Sequence, residues 1–133
     1  DLALPAFIPP DWLGGEELIG AIHREIAGVG TVAEVESLRE GLIDRFGPLP
    51  RPVGNLLELA RLRAYAELDG VESIVENEYE LRITWRRLPE GIERYMALLP
   101  SPLCARFIDR TAIIEGFGGA SERHEWARKI LRR

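Results

Sequence analysis

Two histidines and one cysteine are the residues of this chain best suited to metal binding or catalysis. A structural zinc ion needs three or four His, Cys or carboxylate ligands at suitable spacing, and His23, His124 and Cys104 do not supply that pattern. His124 is followed by Glu125, but the second histidine of an HExxH helix is absent. We therefore predict no metal site, and we expect His124 to be a surface residue in the first turn of a helix.

Candidate nucleophiles and phosphate-binding loops are equally sparse. Cys104 lies between Leu103 and Ala105 at the start of a predicted strand, where a free cysteine is usually a small core residue. Carboxylates are abundant, but no nucleophile, base and orienting group stand out together. The glycine clusters at 14–15 and 116–119 match neither common phosphate-binding pattern. We predict no catalytic or cofactor-binding residue. A small hydrolase that uses Cys104 or a carboxylate pair is the enzymatic alternative.

Charge is unevenly distributed along the chain, which carries a net charge of −5. One stretch holds six acids and no base, and we predict these six as a candidate docking surface for a basic partner: Glu67, Asp69, Glu72, Glu76, Glu78 and Glu80. The alternative is an ordinary solvated surface. The last predicted helix carries five bases, which complement the helix dipole or contact phosphates: Arg123, Arg128, Lys129, Arg132 and Arg133.

The first half of the chain has the 3.6-residue period of helices. Residues 1–14 contain three prolines and no such period, so they predict an extended lead-in that packs Phe7, Ile8 and Trp12 on the body. Three helices are predicted over 16–28, 31–46 and about 52–68. Thr31 and Glu34 form the capping-box pattern of the second helix, which ends at Gly47. The third helix has the widest apolar stripe and should be the most buried.

The second half changes to a two-residue period. Tyr79, Leu81, Ile83 and Trp85 alternate with polar residues, as in a half-buried strand. The further predicted elements are a strand over 73–76, a tight turn at Asn77-Glu78, a short helix over 89–99, a hairpin over 105–115 and a last helix capped by Ser121. Three helices followed by antiparallel hairpins and a C-terminal helix predict an α+β fold, with residues 15–133 as a single domain.

Composition excludes several classes of protein. Apolar residues make up 46% of the chain and charged residues 29%, which is typical of a globular protein. No apolar run reaches the roughly 20 residues that cross a bilayer, and no signal peptide is visible. The lone cysteine agrees with a reducing compartment, so we expect a cytoplasmic monomer. The chain begins at Asp1 without a methionine, which suggests a fragment of a longer protein.

Four phrases of the sequence resemble one known family. Residues 40–50 read EGLIDRFGPLP and are followed by LLELARLR at 56–63. The first phrase, FIPPD at 7–11, and the last, RHEWAR at 123–128, fall in the same order as in that family. Together they make the chain similar to the C-terminal domain of bacterial transcription-repair coupling factors.

The resemblance implies a regulatory role without catalysis. It implies that the domain docks on the N-terminal UvrB-like module of its own parent chain, masks the binding of UvrA and restrains an ATP-driven motor. ATP and magnesium binding, DNA contact and RNA polymerase binding would then lie in other domains, and no cofactor is expected here. The alternative is an accessory nucleic-acid-binding module that uses the basic last helix, although direct DNA binding is not expected of a net negative domain.

Overall fold

The computed structural model describes residues 5–133 and divides the chain into two compact units, with the boundary between Tyr65 and Ala66. The first, which we call the helical unit, comprises residues 5–65. The second, the sheet unit, comprises residues 66–133. The predicted division into a lead-in over residues 1–14 and one domain over 15–133 stays a prediction, and residues 1–4 of that lead-in lie outside the described residues.

The helical unit contains α1 (Glu16–Gly28), α2 (Val32–Phe46) and most of α3 (Arg51–Leu68). The Thr31 hydroxyl accepts a hydrogen bond from the backbone N–H of Glu34 at 3.1 Å, which confirms the predicted cap of α2. Gly47 ends that helix with a φ of 80°, a left-handed value that glycine adopts without strain. The three helix bounds therefore follow from local sequence, as predicted.

The core of the helical unit is almost wholly apolar. Ile22 of α1, Leu42 of α2 and Val53 of α3 are completely buried, and α3 contributes the most buried positions, as its wide stripe predicted. The residues before α1 pack on this core through Ile8 and Leu13, while Trp12 meets the Phe46 ring edge-on at 5.4 Å. Two hydrogen bonds to α3 fix this segment: Phe7 N–H to the Pro52 carbonyl at 3.3 Å, and Asn55 Nδ2 to the Pro5 carbonyl at 2.8 Å.

The sheet unit is built on one four-stranded antiparallel sheet. Its strands are β1 (Val71–Glu76), β2 (Glu80–Trp85), β3 (Cys104–Ile108) and β4 (Thr111–Glu115), in the spatial order β1-β2-β4-β3. Both predicted hairpins are confirmed, and β2 pairs with β4 to join them. The second hairpin turns at Asp109, whose φ of 52° is a left-handed value that Asp tolerates.

Two helices complete the sheet unit: α4 (Ile92–Ala97) and α5 (Ala120–Arg132). The helix predicted over 89–99 is shorter, because Gly91 takes a left-handed conformation and α4 begins after it. The prediction that Ser121 caps the last helix was wrong. Gly119 holds the cap position with no side-chain bond, and Ser121 lies inside the first turn.

The two faces of the sheet differ. Leu81, Ile83, Trp85 and Ile114 lie on one face and are fully buried. The opposite face carries exposed side chains, such as Val75, Arg106 and Ile108, around a single buried residue, Ile113. In register, Ile113 lies between Arg82 and Arg106. The α+β class is therefore confirmed, with one covered and one open sheet face.

Candidate interaction surface

The six acids predicted as a docking surface follow the chain from the end of α3, through β1, to the first residue of β2. We call residues 67–80 the acidic segment. The structure divides its acids into two sets of three. One set is held against other residues of the sheet unit, and the other set is exposed. Contiguity in sequence therefore does not make the six acids one surface.

Glu76 is the most deeply held of the six acids. Its Oε2 accepts a hydrogen bond from Arg123 Nε of α5 at 2.8 Å, and the two side chains are only 5% and 7% exposed. Arg123 also donates through Nη1 to the backbone carbonyl of Glu78 at 2.9 Å. The Glu76 carboxylate is thus engaged inside the sheet unit, and its predicted docking role stays a prediction.

Asp69 is also engaged within the sheet unit. Its Oδ2 accepts from the indole Nε1 of Trp85 at 2.9 Å and from Arg133 Nη1 at 2.7 Å. The indole belongs to a fully buried ring, and a buried donor needs a partner. Asp69 therefore supports the core and the end of α5, and it leaves little charge for a docking surface.

Glu80 completes the set of acids held by other residues of the sheet unit. Its carboxylate bonds to Arg82, and the Glu80 side chain is only 15% exposed. The hydrogen bond from Arg82, aided by the charges of Arg82 and Arg106 and a hydrogen bond with Asn77, lowers the pKa of Glu80 below its ordinary value, against the opposing effect of desolvation. Glu80 therefore stays ionised and neutralises arginine on the open sheet face.

Three acids of the segment remain exposed: Glu67, Glu72 and Glu78. Glu67 lies 3.4 Å from Arg86 and Glu72 lies 3.8 Å from Arg110, but all four of these side chains are more than half exposed, so such pairs are weak. Glu78 lies in the turn between β1 and β2, and its carboxylate has no hydrogen bond or ion pair with another residue in the described part of the chain. The usable negative charge of the segment is thus carried by these three.

The bases of the last helix are mostly engaged as well. Arg123 and Arg133 bind Glu76 and Asp69, and Lys129 lies 3.3 Å from Glu125 and stacks over the Trp126 ring at 4.6 Å. Arg123, Arg133 and Lys129 therefore have carboxylate partners inside the chain. This leaves less uncompensated positive charge than the sequence suggested for an accessory nucleic-acid-binding surface.

The chemically active side chains do not converge. The expectation that His124 is a surface residue in the first turn was wrong, since it is buried in the second turn of α5. The expectation that Cys104 is a core residue was also wrong. It is exposed because it begins β3, an edge strand, and lies on the open sheet face. Among residues 5–133, no group of three or more His, Cys, Asp or Glu side chains is placed to hold a metal ion.

A depression at the start of α1 brings no catalytic groups together. It is an open hollow of about 660 Å³, lined by Gly14, Gly15, Glu16, Glu17, Leu18 and Ala21. Its two glutamates oppose the binding of an anion at the helix N-terminus. No helix in the described part of the chain has both the length and the apolar character needed to cross a bilayer.

Sequence reasoning placed two important residues, Arg123 and Tyr79, in the wrong environment. Arg123 shares a helix stripe with the buried Ala127 and Ile130, at i, i+4 and i+7, so an arginine in an apolar stripe was the available sign of a buried partner. Tyr79 was expected to continue the buried alternation of β2, but it precedes the strand and is 74% exposed. No pattern in the neighbouring sequence predicts that the Tyr79 side chain is exposed.

The family model described as TRCF domain matches residues 2–91, about two thirds of the chain. The chain belongs to the TRCF domain family. This confirms the resemblance found in the sequence. The match contains the helical unit, the first hairpin and the segment between that hairpin and α4. It ends before α4, β3, β4 and α5.

Curated relatives and a solved structure extend the comparison of this TRCF domain. The transcription-repair-coupling factor of Escherichia coli is 36% identical over 78 residues, 59% of this chain and 7% of the relative. That of Mycobacterium bovis is 32% identical over 94 residues, 70% of this chain and 8% of the relative. The chain thus corresponds to less than a tenth of these relatives' length.

A structural neighbour supports the fold over nearly the whole chain. The crystal structure of the C-terminal domain of transcription-repair coupling factor superposes with a TM-score of 0.76 at 20% identity, and the alignment covers 98% of this chain and 89% of the neighbour. At that identity the likeness concerns the fold. It extends to the second hairpin and α5, which the family match does not reach.

Proposed function

We propose that this TRCF domain is a non-catalytic regulatory module of a transcription-coupled DNA repair translocase. In this proposal the domain docks on the N-terminal UvrB-like module of its parent, masks the surface that binds UvrA and restrains the ATP-driven motor. ATP, magnesium, DNA and RNA polymerase are bound by other parts of the parent. The observation that carries the proposal is membership of the TRCF domain family by a chain that matches only about 7% of its relatives' length.

The distribution of charged side chains supports a docking role. Glu76 and Asp69 bind arginines of the sheet unit, while Glu67, Glu72 and Glu78 face solvent. A partner with arginines or lysines would be attracted to these three, and charge complementarity gives specificity without a large apolar contact.

A tethered docking module works with weak contacts. Two modules in one chain meet at an effective concentration of up to about millimolar, so the closed form is populated even when separate modules bind poorly. The module must also be released. Moving a closed state from 99:1 to 1:99 takes about 5.5 kcal/mol of differential binding, so a very tight interface would prevent the switch. An exposed polar surface meets both requirements.

Deletion of the domain from the full-length parent tests the proposal. We expect the deleted protein to hydrolyse ATP faster and to retain more UvrA in a pull-down, because the masked surface and the motor are both released. An isolated sample of this chain should compete with UvrA for the N-terminal module. Unchanged ATPase and unchanged UvrA retention after deletion would contradict the proposal.

Charge reversal tests the exposed acids. The double variant Glu72→Lys/Glu78→Lys should weaken docking, most clearly at low salt where screening is least. Glu90→Lys/Glu93→Lys is the matched control, because it makes the same change in net charge at two exposed acids of the same unit. Equal behaviour of the two variants would remove the exposed acids from the docking surface.

A further inference from the structure

Tyr79 is an aromatic side chain displayed at the tip of the first hairpin. It lies between β1 and β2 and is 74% exposed, whereas Trp85 of the same hairpin is fully buried. Exposed tyrosines are common where proteins meet, because the ring offers apolar area and the hydroxyl a hydrogen bond at a low cost in side-chain entropy. The other strongly exposed apolar residues of the sheet unit, such as Leu68 and Leu98, are aliphatic.

The backbone beneath Tyr79 is fixed by side-chain hydrogen bonds. The Asn77 carboxamide oxygen accepts from the backbone N–H of Tyr79 at 2.8 Å and of Glu80 at 3.0 Å. The backbone N–H of Asn77 donates to the Glu80 carbonyl at 3.1 Å. The tyrosine is thus presented from an ordered turn, and a partner need not supply the free energy of ordering it.

Arginine from α5 fixes the other side of the same turn. Arg123 donates to the Glu78 carbonyl at 2.9 Å and to the Glu76 carboxylate at 2.8 Å, so the residues on both sides of Asn77 are attached to a helix. The buried ion pair therefore has a consequence beyond packing, since it holds the hairpin tip in one position. Preorganisation of this kind is what separates an anchor residue from a merely exposed one.

The charge beside Tyr79 is negative. Glu76 and Glu80 are neutralised by Arg123 and Arg82, while the exposed Glu78 carboxylate has no partner among the described residues. A phosphate backbone would be repelled here, whereas a protein surface with arginine or lysine would be attracted. The chemistry of the tip therefore favours a protein partner with an apolar cleft and a basic rim.

We propose that Tyr79 is the anchor of the docking surface, inserting into an apolar cleft of the parent's N-terminal module whose basic rim contacts Glu78. This inference rests on the proposed function and specifies the chemistry of its partner. One anchor bordered by charge gives a contact that is specific and still releasable. Glu78 steers the approach, and the tyrosine ring supplies most of the contact that determines how long the closed form lasts.

The test uses the full-length parent with single substitutions. Removal of an interface anchor weakens a contact by about tenfold or more. If the closed form is populated at 99:1, a tenfold loss raises the open fraction from about 1% to about 9%. We therefore expect Tyr79→Ala to increase UvrA retention and ATPase rate toward the values of the domain deletion. Tyr79→Phe keeps the ring and should remain close to the unsubstituted protein.

Leu98→Ala is the matched control, because Leu98 is an apolar residue of the same unit with the same exposed fraction of 74%. It should leave UvrA retention and ATPase unchanged. A Glu78→Gln variant should have a smaller effect than Tyr79→Ala, and the effect should fade as salt is added. Unchanged hydrogen exchange in β1 and β2 shows that each variant keeps its fold.

The outcomes separate the inference from the proposed function. If the deletion releases UvrA binding and Tyr79→Ala does not, the anchor is refuted while the regulatory role stands. If neither has an effect, both are refuted. If Tyr79→Ala instead abolishes binding of this chain to single-stranded DNA, or its self-association, the partner is not the N-terminal module and the inference is overturned. Equal effects of Tyr79→Ala and Leu98→Ala would overturn it as well.

Discussion

The helical unit and the sheet unit place their charged side chains differently. In the helical unit the pair of Arg45 and Glu25 lies at the surface, 3.7 Å apart with side chains 48% and 44% exposed. In the sheet unit Arg123 and Glu76 are 7% and 5% exposed, and Arg133 and Asp69 are 17% and 19% exposed. Buried charge thus contributes to the sheet unit, whereas the core of the helical unit is apolar.

This difference affects how precisely each unit fixes the positions of its own helices and strands. A buried ion pair adds little net stability, because desolvation offsets most of the Coulomb attraction. It does penalise every arrangement that separates the two charges. In the sheet unit this fixes α5 against the first hairpin at one register. The helical unit relies on complementary apolar shapes and on helix ends, which define its elements more locally.

The largest effect should come from separating the buried pair. Glu76→Gln leaves the Arg123 guanidinium buried without a counter-charge, so we expect the free energy of unfolding to fall by about 3–5 kcal/mol. Denaturant unfolding measures the loss. Hydrogen exchange, which resolves local opening, should place it in β1, β2 and α5.

The same substitution in the helical unit is its control. Glu25→Gln removes an exposed partner of Arg45 and should cost at most about 1 kcal/mol. A comparable loss for Glu25→Gln and Glu76→Gln would mean that burial does not distinguish the two units. A large loss confined to α1 and α2 for Glu76→Gln would contradict the assignment of this pair to the sheet unit's stability.

Sequence patterns predicted the elements better than the surfaces they form. The ends of α1, α2 and α3 depend on nearby residues such as Thr31 and Gly47, and the strands on an alternation visible in the sequence, so the α+β class and both hairpins were predictable. Which face of an element is covered depends on contacts distant in sequence. For that reason the sequence predicted the wrong degree of burial for three residues: His124, Cys104 and Tyr79.

The candidate surface shows the same limit more sharply. Six acids in one stretch suggest a single negative patch, but the partner of Glu76 is Arg123, 47 residues further along the chain. A charge run does not reveal such a pairing. The family match, which ends at residue 91, does not contain Arg123 either. Only the three-dimensional arrangement separates the structural acids from the exposed ones.

Substitutions at helix N-termini should change the free energy of unfolding by an intermediate amount, and differently in the two units. Thr31→Ala removes the hydroxyl that accepts from the Glu34 N–H, and should cost about 1 kcal/mol of unfolding free energy. Ser121→Ala, at the residue that the sequence wrongly proposed as a cap, should change it by less than about 0.5 kcal/mol. Hydrogen exchange at the first turns of α2 and α5 checks both. A loss of unfolding free energy for Ser121→Ala as large as that for Thr31→Ala would indicate that Ser121 caps α5 after all.

The smallest effect concerns Glu80 and acidic pH. Because Arg82 lowers the pKa of this carboxyl in the folded chain below its unfolded value, ionised Glu80 stabilises the fold at neutral pH. That contribution is present above the unfolded pKa and disappears as the pH falls through the folded pKa. The free energy of unfolding of the unsubstituted chain should therefore exceed that of Glu80→Gln at neutral pH, and the difference should vanish in strong acid.

A double-mutant cycle assigns that pH dependence to its cause. In an Arg82→Gln background the Glu80→Gln substitution should show a smaller pH-dependent difference, because the largest cause of the lowered Glu80 pKa has been removed. Arg106 and Asn77 still lower that pKa, and desolvation still raises it. Denaturant unfolding across the acidic range gives the four free energies of the cycle. A pH-dependent difference that persists undiminished without Arg82 would show that the open sheet face does not hold Glu80 through this arginine. Of the two acid–arginine pairs, only Glu76 with Arg123 would then be supported as a contributor to stability.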